Sequence, residues 1–458
     1  MLKKNEEYIV DIIDNGFQGE GIAKIDGMTV FVPMAIKGEK IKIKILKVTS
    51  SHAFGKIIEI IEKVATRKEP DCETYLRCGG CSLRHIEYEK TLEIKKNSVE
   101  STLKKTLGKK IEITEVIKME HTYNYRNKLQ YPIGIGKNNN KVIGVFAERT
   151  HEIIPTRECK LQDKKSQNIA NDMYKFIVEN NISVYNEKTL KGSIRHIVIR
   201  IGKKTNEIMV MFVSNTPKVE KELELVNFIV NKYPEIKTVV KNINNKNTNV
   251  ILGNDNKVLY GDGYIYDYLG ECKFKISPMS FYQVNPIQTE KLYNKAIEFA
   301  DLNGKETIFD LYCGIGTIGI FASKNAKKLY GIETIPQAIE DAKENAKLNN
   351  IENAEFYVGD VENVLPKLVN EKNITADVVF IDPPRKGCDK VALDTLMKIK
   401  PKKIVYVSCN PATLARDLKN LENLYELKKI AICDMFPWTH HVECVSVLQL
   451  KQENINII

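Results

Sequence analysis

Ser408-Cys409-Asn410-Pro411 directly follows the apolar run Ile404-Val405-Tyr406-Val407. That pattern reads as a buried strand giving way to the first turn of a helix, with Pro411 suited to the first helical position. A thiol so placed lies near the positive end of a helix dipole, which favours thiolate, the nucleophilic form of cysteine. The chemistry this permits is covalent catalysis by Cys409. Taken alone, a cysteine behind an apolar run is more often a buried structural residue, so the assignment depends on what else the chain supplies. It supplies a base: Glu443, just ahead of Val445-Ser446-Val447-Leu448, is a carboxylate in a setting that raises basicity. His440 and His441 are its rivals.

A second constellation could hold the electrophile. Phe309-Asp310-Leu311-Tyr312-Cys313-Gly314-Ile315-Gly316-Thr317-Ile318-Gly319 joins a strand to a helix through a glycine-rich turn that matches G-x-G-x-x-G. With Glu333 lying 17 residues after Gly316, a nicotinamide-dinucleotide fingerprint competes for this loop. Asp310 counts against it, because a carboxylate repels a pyrophosphate and suits the ammonium group of a methionine moiety. So does Ile381-Asp382-Pro383-Pro384-Arg385, since an acid followed by two rigid prolines is typical of S-adenosylmethionine-dependent methyltransferases. Glu333 suits ribose hydroxyls in either reading.

A third constellation is built from thiols. Cys72, Cys78 and Cys81 form C-x5-C-x2-C around Gly79-Gly80, and Cys159 is the chosen fourth because it sits in a polar segment. Four thiolates hold either zinc or an iron–sulfur cluster, and spacing alone leaves both open. The chain has 10 cysteines and no apolar leader, which argues for metal or catalytic thiols over a disulfide framework.

The elements that must position these groups divide the 458 residues into three. Residues 1–62 alternate short strands with glycine turns and read as a small β-barrel. In Lys40-Ile41-Lys42-Ile43-Lys44-Ile45 one face is lysine and the other isoleucine, a face able to track single-stranded nucleic acid. Residues 63–272 mix helix and strand patterns, with the Asn-rich Lys241–Asn249 stretch expected as a surface loop. From 273 to 458 strands and helices alternate as in a doubly wound, largely parallel sheet, with the last two strands antiparallel for want of a crossover helix. A net charge of +10 fits a polyanionic partner. No run approaches the roughly 20 apolar residues of a membrane span, so a cytoplasmic protein without membrane contact is expected.

Together these motifs resemble the RNA uridine-5-methyltransferase family over essentially the whole chain, with the N-terminal barrel resembling the TRAM domain, an OB-like RNA-binding module. Ser280-Phe281-Tyr282-Gln283-Val284-Asn285 and Pro437-Trp438-Thr439-His440-His441-Val442-Glu443 complete the match. The resemblance implies an α/β class I S-adenosylmethionine-dependent methyltransferase domain, a mixed α/β central domain and the TRAM barrel. By motif position it puts cofactor contacts at Gln283, Tyr312, Thr317, Glu333, Asp360 and Asp382, the nucleophile at Cys409 and the base at Glu443. Its four-cysteine branch carries a [4Fe-4S] cluster and modifies 23S ribosomal RNA, whereas relatives acting on the tRNA T-loop typically lack the cluster. The implied substrate is a uridine flipped from a loop or single-stranded region into a monomeric enzyme. Tyr123, Tyr125, Arg126, Lys128, Arg195, His196 and Arg200 are candidates for touching that RNA. The alternatives are a tRNA T-loop uridine methyltransferase, an amino-group methyltransferase that needs no thiol, and a non-catalytic RNA-binding assembly factor.

Overall fold

The computed structural model describes residues 2–452. Its first sheet runs Glu7–Asp11, Lys40–Val48, His52–Glu62, Met28–Val32, Gly21–Ile25, Asp14–Asn15 in spatial order. The two end strands are halves of one stretch of chain, so the sheet closes on itself as a barrel. Period-2 alternation does what it must: Ile41, Ile43 and Ile45 are fully buried, each contributing about 2 kcal/mol of apolar burial. The lysines between them face outward, but Lys42 is 2.9 Å from Glu7 and Lys40 is 4.0 Å from Glu62. The lysine face is thus partly neutralised by the barrel's own carboxylates.

The second sheet has seven strands, ordered Ile153–Pro155, Lys141–Phe146, Lys128–Ile135, Ile194–Ile201, Ile208–Ser214, Ile236–Ile243, Asp255–Tyr260. Helices Lys164–Glu179 and Glu222–Lys232 cover one face, burying Ile169 and Ile229 against Ile197 and Val210. The other face contributes Val198, Met209 and Met211 to a core shared with Tyr293, Ile308 and Val405, so one core crosses the boundary expected at 272. The Asn-rich stretch begins as a strand rather than a loop. Lys241 is buried with its Nζ on Pro217 O at 2.7 Å and Glu222 Oε2 at 2.5 Å, and the Asn242 amide exchanges hydrogen bonds with the Gly253 backbone. Polar composition predicted exposure; pairing of those polar groups made burial possible.

The third sheet is ordered Ala354–Val358, Lys328–Glu333, Thr307–Leu311, Val378–Ile381, Lys403–Ser408, Glu443–Leu450, Tyr425–Cys433, Glu115–Ile117. The first five are parallel, and Glu443–Leu450 runs antiparallel between Lys403–Ser408 and Tyr425–Cys433. Strand order reverses between Thr307–Leu311 and Val378–Ile381, which opens a crevice at the carboxyl ends of those strands. The edge strand Glu115–Ile117 and helix Tyr88–Leu107, which packs against Pro411–Leu421, come from the segment before 272. Among the described residues no helix is long and apolar enough to cross a membrane.

Candidate active site

The crevice holds a cavity of about 530 Å³ whose lining includes all eight of the expected cofactor and catalytic residues: Gln283, Tyr312, Thr317, Glu333, Asp360, Asp382, Cys409 and Glu443. Sheet topology explains the convergence. Parallel strands deliver their carboxyl ends to one edge, so Asp310, Glu333, Asp382 and Cys409 arrive there from four strands. Glu443 begins its strand, and an antiparallel strand puts its first residue on that same edge. Ser408 pairs with Cys444, so the next pair outward sets Cys409 beside Glu443.

The cofactor loop is shaped by glycine. Gly314 and Gly316 have φ of 56° and 81°, left-handed values that favour glycine. A Cβ on Gly319 would stand 2.8 Å from Asp310 Oδ2, where Gly319 N now donates to that oxygen at 2.7 Å. Glu333 Oε2 accepts from Gly314 N at 3.1 Å and Oε1 from Ile335 N at 3.0 Å, which holds its carboxylate at the cavity wall. Thr317 Oγ1 and the buried Tyr293 hydroxyl lie 3.2 Å apart. Asp360 is exposed at the start of helix Val361–Asn370, with no side-chain capping bond.

Buried acid dominates the electrostatics. Asp310 is pushed up to about 7 by burial, opposed by the Gly319 hydrogen bond and reinforced by Asp382 and Glu333. Its Oδ1 is buried without a partner, an acceptor left for a ligand donor. Burial also raises Asp382 to about 7. Glu443 lies well above the ordinary carboxylate range through burial and Asp382, with Arg385 pulling the other way. It is 4% exposed, as a protonatable base in a dry site should be.

Cys409 departs from expectation in one respect. It does precede Asn410, whose Oδ1 accepts from Ala412 N at 3.0 Å to cap the helix beginning at Pro411. Its thiol is nevertheless raised to about 11, by burial first, then by Glu443 and Asp382, with Arg385 opposing. Burial, with two carboxylates adding to it, outweighs a helix dipole whose influence is confined to its first turn. The resting group is therefore a thiol, not the thiolate that its place before a helix led one to expect. Glu443 lines the cavity and neither His440 nor His441 does; burial lowers both histidines, His441 to about 4.

The loop after Asp382 is held from behind. Asp417 Oδ2 accepts from the Tyr406 hydroxyl at 2.6 Å and from Cys388 N at 2.9 Å, while Arg416 donates to Lys386 O at 2.9 Å. These residues escaped the sequence reading, as did Tyr293 and Phe436 in the cavity wall, because nothing in a helix face or a loop announces a partner so distant in the chain. Phe281, 68% exposed at the rim, had a signal, since it stands two residues before Gln283.

The four cysteines lie elsewhere. Cys78 is raised by burial and by the charges of Cys159 and Cys72, and Cys81 is pushed up to about 12 by burial, with Cys159 and Cys78 adding and Arg84 opposing. Cys78 thus stands within electrostatic reach of the other three, and Cys81 within reach of Cys159. Among the described residues no three Cys, His, Asp or Glu groups close around one point as a single ion requires. Cys81 and Cys159 pack against Trp438 and Tyr125, and Ser82 N and Leu83 N donate to Trp438 O at 3.0 Å each. The thiol loop thus braces the segment that leads to Glu443. Of the RNA candidates, Tyr125 is buried with its hydroxyl on Pro437 O, Tyr123 is exposed, Arg126 and Lys128 are half-buried, and Arg195, His196 and Arg200 are buried.

Comparison with known proteins agrees with this architecture. The sequence pattern described as tRNA (Uracil-5-)-methyltransferase matches residues 87–451, and that of the TRAM domain matches residues 2–58. A chain of Clostridium acetobutylicum described as an uncharacterized RNA methyltransferase is 51% identical over 453 residues, 98% of each chain. One of Oceanobacillus iheyensis with the same description is 42% identical over 99% of this chain and 98% of its own. The crystal structure of Pyrococcus abyssi tRNA (uracil-54, C5)-methyltransferase in complex with S-adenosyl-L-homocysteine superposes with a TM-score of 0.77 at 29% identity, over 97% of this chain and 100% of that one.

Proposed function

The chain belongs to the family described as tRNA (Uracil-5-)-methyltransferase, S-adenosylmethionine-dependent enzymes that methylate RNA, and from this premise we propose that it methylates C5 of a uridine in 23S ribosomal RNA through a covalent Cys409 adduct. The observation that carries the mechanism is the pairing of Cys409 with Glu443 in a cavity also lined by the six cofactor-contact candidates. Those residues fit the cofactor: Asp310 offers an unpartnered buried oxygen to an ammonium group, and Glu333 stands fixed for ribose hydroxyls. When bound, S-adenosylmethionine supplies the electrophilic methyl group that C5 acquires.

In uracil, C5 is a weak nucleophile. The Cys409 thiol yields its proton to Asp382, which leaves Glu443 free for the later step, and its sulfur bonds to C6, which moves the C5–C6 π pair onto C5 and the adjoining carbonyl. After C5 is methylated, Glu443 takes the C5 proton. The C5–H pair re-forms the double bond and the Cys409–C6 bond breaks, returning the thiolate. Asp382 steers the uracil edge and Arg385 offsets the charge.

We assign Cys72, Cys78, Cys81 and Cys159 to a [4Fe-4S] cluster. Four thiolates around a single zinc, each about 2.3 Å from the metal, must crowd together; four bound to separate irons of a cluster stand farther apart. The choice of cluster over zinc rests on the resemblance of the four-cysteine set to the cluster-carrying branch of the family. Protein purified anaerobically will then be brown and contain iron and labile sulfide, and a colourless zinc protein sinks this assignment.

The 23S target rests on the four-cysteine set, while the likeness to a tRNA (uracil-54, C5)-methyltransferase favours tRNA. Mapping 5-methyluridine in total RNA from cells with and without the protein separates the two. Loss at a 23S position supports the first, and loss only in the T-loop overturns it. With the target known, RNA carrying 5-fluorouridine there should form a denaturant-stable adduct with the wild type and none with Cys409→Ala. Retained methylation in that variant would falsify the thiol mechanism.

A further inference from the structure

The central sheet carries a second cleft, of about 680 Å³, that the proposed reaction does not use. His196 lines it, 7% exposed, with neither ring nitrogen hydrogen-bonded. Burial and the neighbouring Arg195 lower this imidazole to about 4, so it is neutral and carries one N–H donor and one bare acceptor. A buried side chain rarely leaves both unmet, because each costs desolvation without return. The half-buried Phe146 ring lies 6.3 Å from His196, nearly perpendicular to it, and the Arg195 guanidinium covers Tyr185 at 4.3 Å. On the rim, Lys137 is 3.0 Å from Glu152 and His151 is 2.8 Å from Glu187. Lys137 and Glu152 are thus matched inside the protein, and Lys188 on the same rim has no ion-pair partner among the described residues. What remains open is an aromatic surface with a neutral donor–acceptor pair, which suits the edge and face of a nucleobase better than a phosphate.

The cleft is joined to the active site along one sheet face. His196 pairs with Pro132, Val198 with Gln130 and Arg200 with Lys128, and residues two apart on a strand share a face. Arg200 lies four residues from His196, about 13 Å at strand rise, and donates to Ser280 O at 2.7 Å. Beside it, the Asn127 amide donates to Gln283 O at 3.0 Å. Val198 and Arg200 are buried on this face and Gln130 and Lys128 half-buried, so the sheet fixes the spacing of the two sites while the strand between them passes over the surface.

We propose that this cleft is a second nucleotide pocket, receiving an unpaired base from the same RNA strand whose uridine enters the cavity at Cys409. The proposal rests on RNA being the substrate and not on which uridine is modified. The test uses the full-length protein and a random-sequence pool of single-stranded RNA about 20 nucleotides long, enough to span several binding positions, with 4-thiouridine replacing uridine. Photocross-links should map both to the Cys409 cavity and to peptides containing Phe146 or His196. His196→Ala and Phe146→Ala should each remove the second set and weaken pool affinity about tenfold, the effect of losing one stacked base. His196→Gln, which keeps a donor and an acceptor, should restore part of it. Melting temperature and S-adenosylhomocysteine affinity should stay at wild-type values. Cross-links in the cavity with none in the cleft, or unchanged affinity in both alanine variants, would overturn the pocket while leaving the RNA reading intact. A pool that neither binds nor cross-links anywhere would overturn both.

Discussion

At the scale of single residues, Cys409, the proposed nucleophile, is stored in protonated form. A thiol held at about 11, against 9.0 for an ordinary cysteine, is mostly unreactive at neutral pH until a substrate reorganises its carboxylate neighbours. Iodoacetamide labelling of Cys409 in the free protein, followed by mass spectrometry, should therefore rise with pH without a plateau below pH 9. The buried acids have the opposite consequence for the cofactor. Asp310 and Asp382, raised to about 7, are largely protonated below that pH and ionised above it. A ligand ammonium group favours the ionised forms, so S-adenosylhomocysteine should bind more weakly as pH falls from 8 to 5.5, measured by calorimetry; equal affinity across that range would contradict the role given to Asp310. On the proposed mechanism, Glu443→Gln removes the base needed after the carbon–carbon bond has formed. Turnover should fall about 10²- to 10⁴-fold, the usual worth of positioned proton transfer, and a Cys409-linked methylated RNA adduct should accumulate on denaturing gels.

At the scale of elements, the site depends on one reversed strand and on what pins its approach. Asp434 follows the strand Tyr425–Cys433, and its carboxylate takes Lys95 Nζ at 2.5 Å and the Tyr88 hydroxyl at 2.8 Å. Lys95 also donates to Phe436 O at 3.1 Å. Both members of the ion pair are 1% exposed at their side chains, so removing one leaves an uncompensated buried charge. Lys95→Met should destabilise the fold by about 3 kcal/mol in urea denaturation, and the double replacement Lys95→Met with Asp434→Leu should recover part of that loss. Sequence periodicity located the strands on either side of this tie but carried no trace of the tie itself, because its partners lie 339 residues apart.

At the scale of the whole molecule, barrel, thiol loop and catalytic edge meet at one place. The Phe17 ring from the barrel lies 6.1 Å from His440, Ser82 Oγ is 3.2 Å from His440 Nδ1, and the thiol loop bonds to Trp438 O. Disturbing the thiols should therefore be felt at the active-site edge. Cys81→Ser should lose iron and lower kcat for RNA methylation while leaving S-adenosylhomocysteine affinity near wild type, and unchanged kcat in an iron-free variant would confine the loop to a remote structural role.

Much of this protein was legible before any coordinates. Alternation in Lys40–Ile45 dictated a barrel strand, the glycines of the cofactor loop dictated a tight strand-to-helix turn, and the Asp382 and Cys409 motifs marked strand ends, because local backbone preference and periodicity are written in adjacent residues. Tertiary structure alone decided the rest. It set Cys409 beside Glu443 through an antiparallel register, turned an expected thiolate into a thiol by burying it and gathering carboxylates from separate strands, and buried Lys241 by giving it partners. Those outcomes depend on charges and hydrogen bonds between residues far apart in the chain, and such interactions acquire their magnitude only from the distances and burial that folding creates.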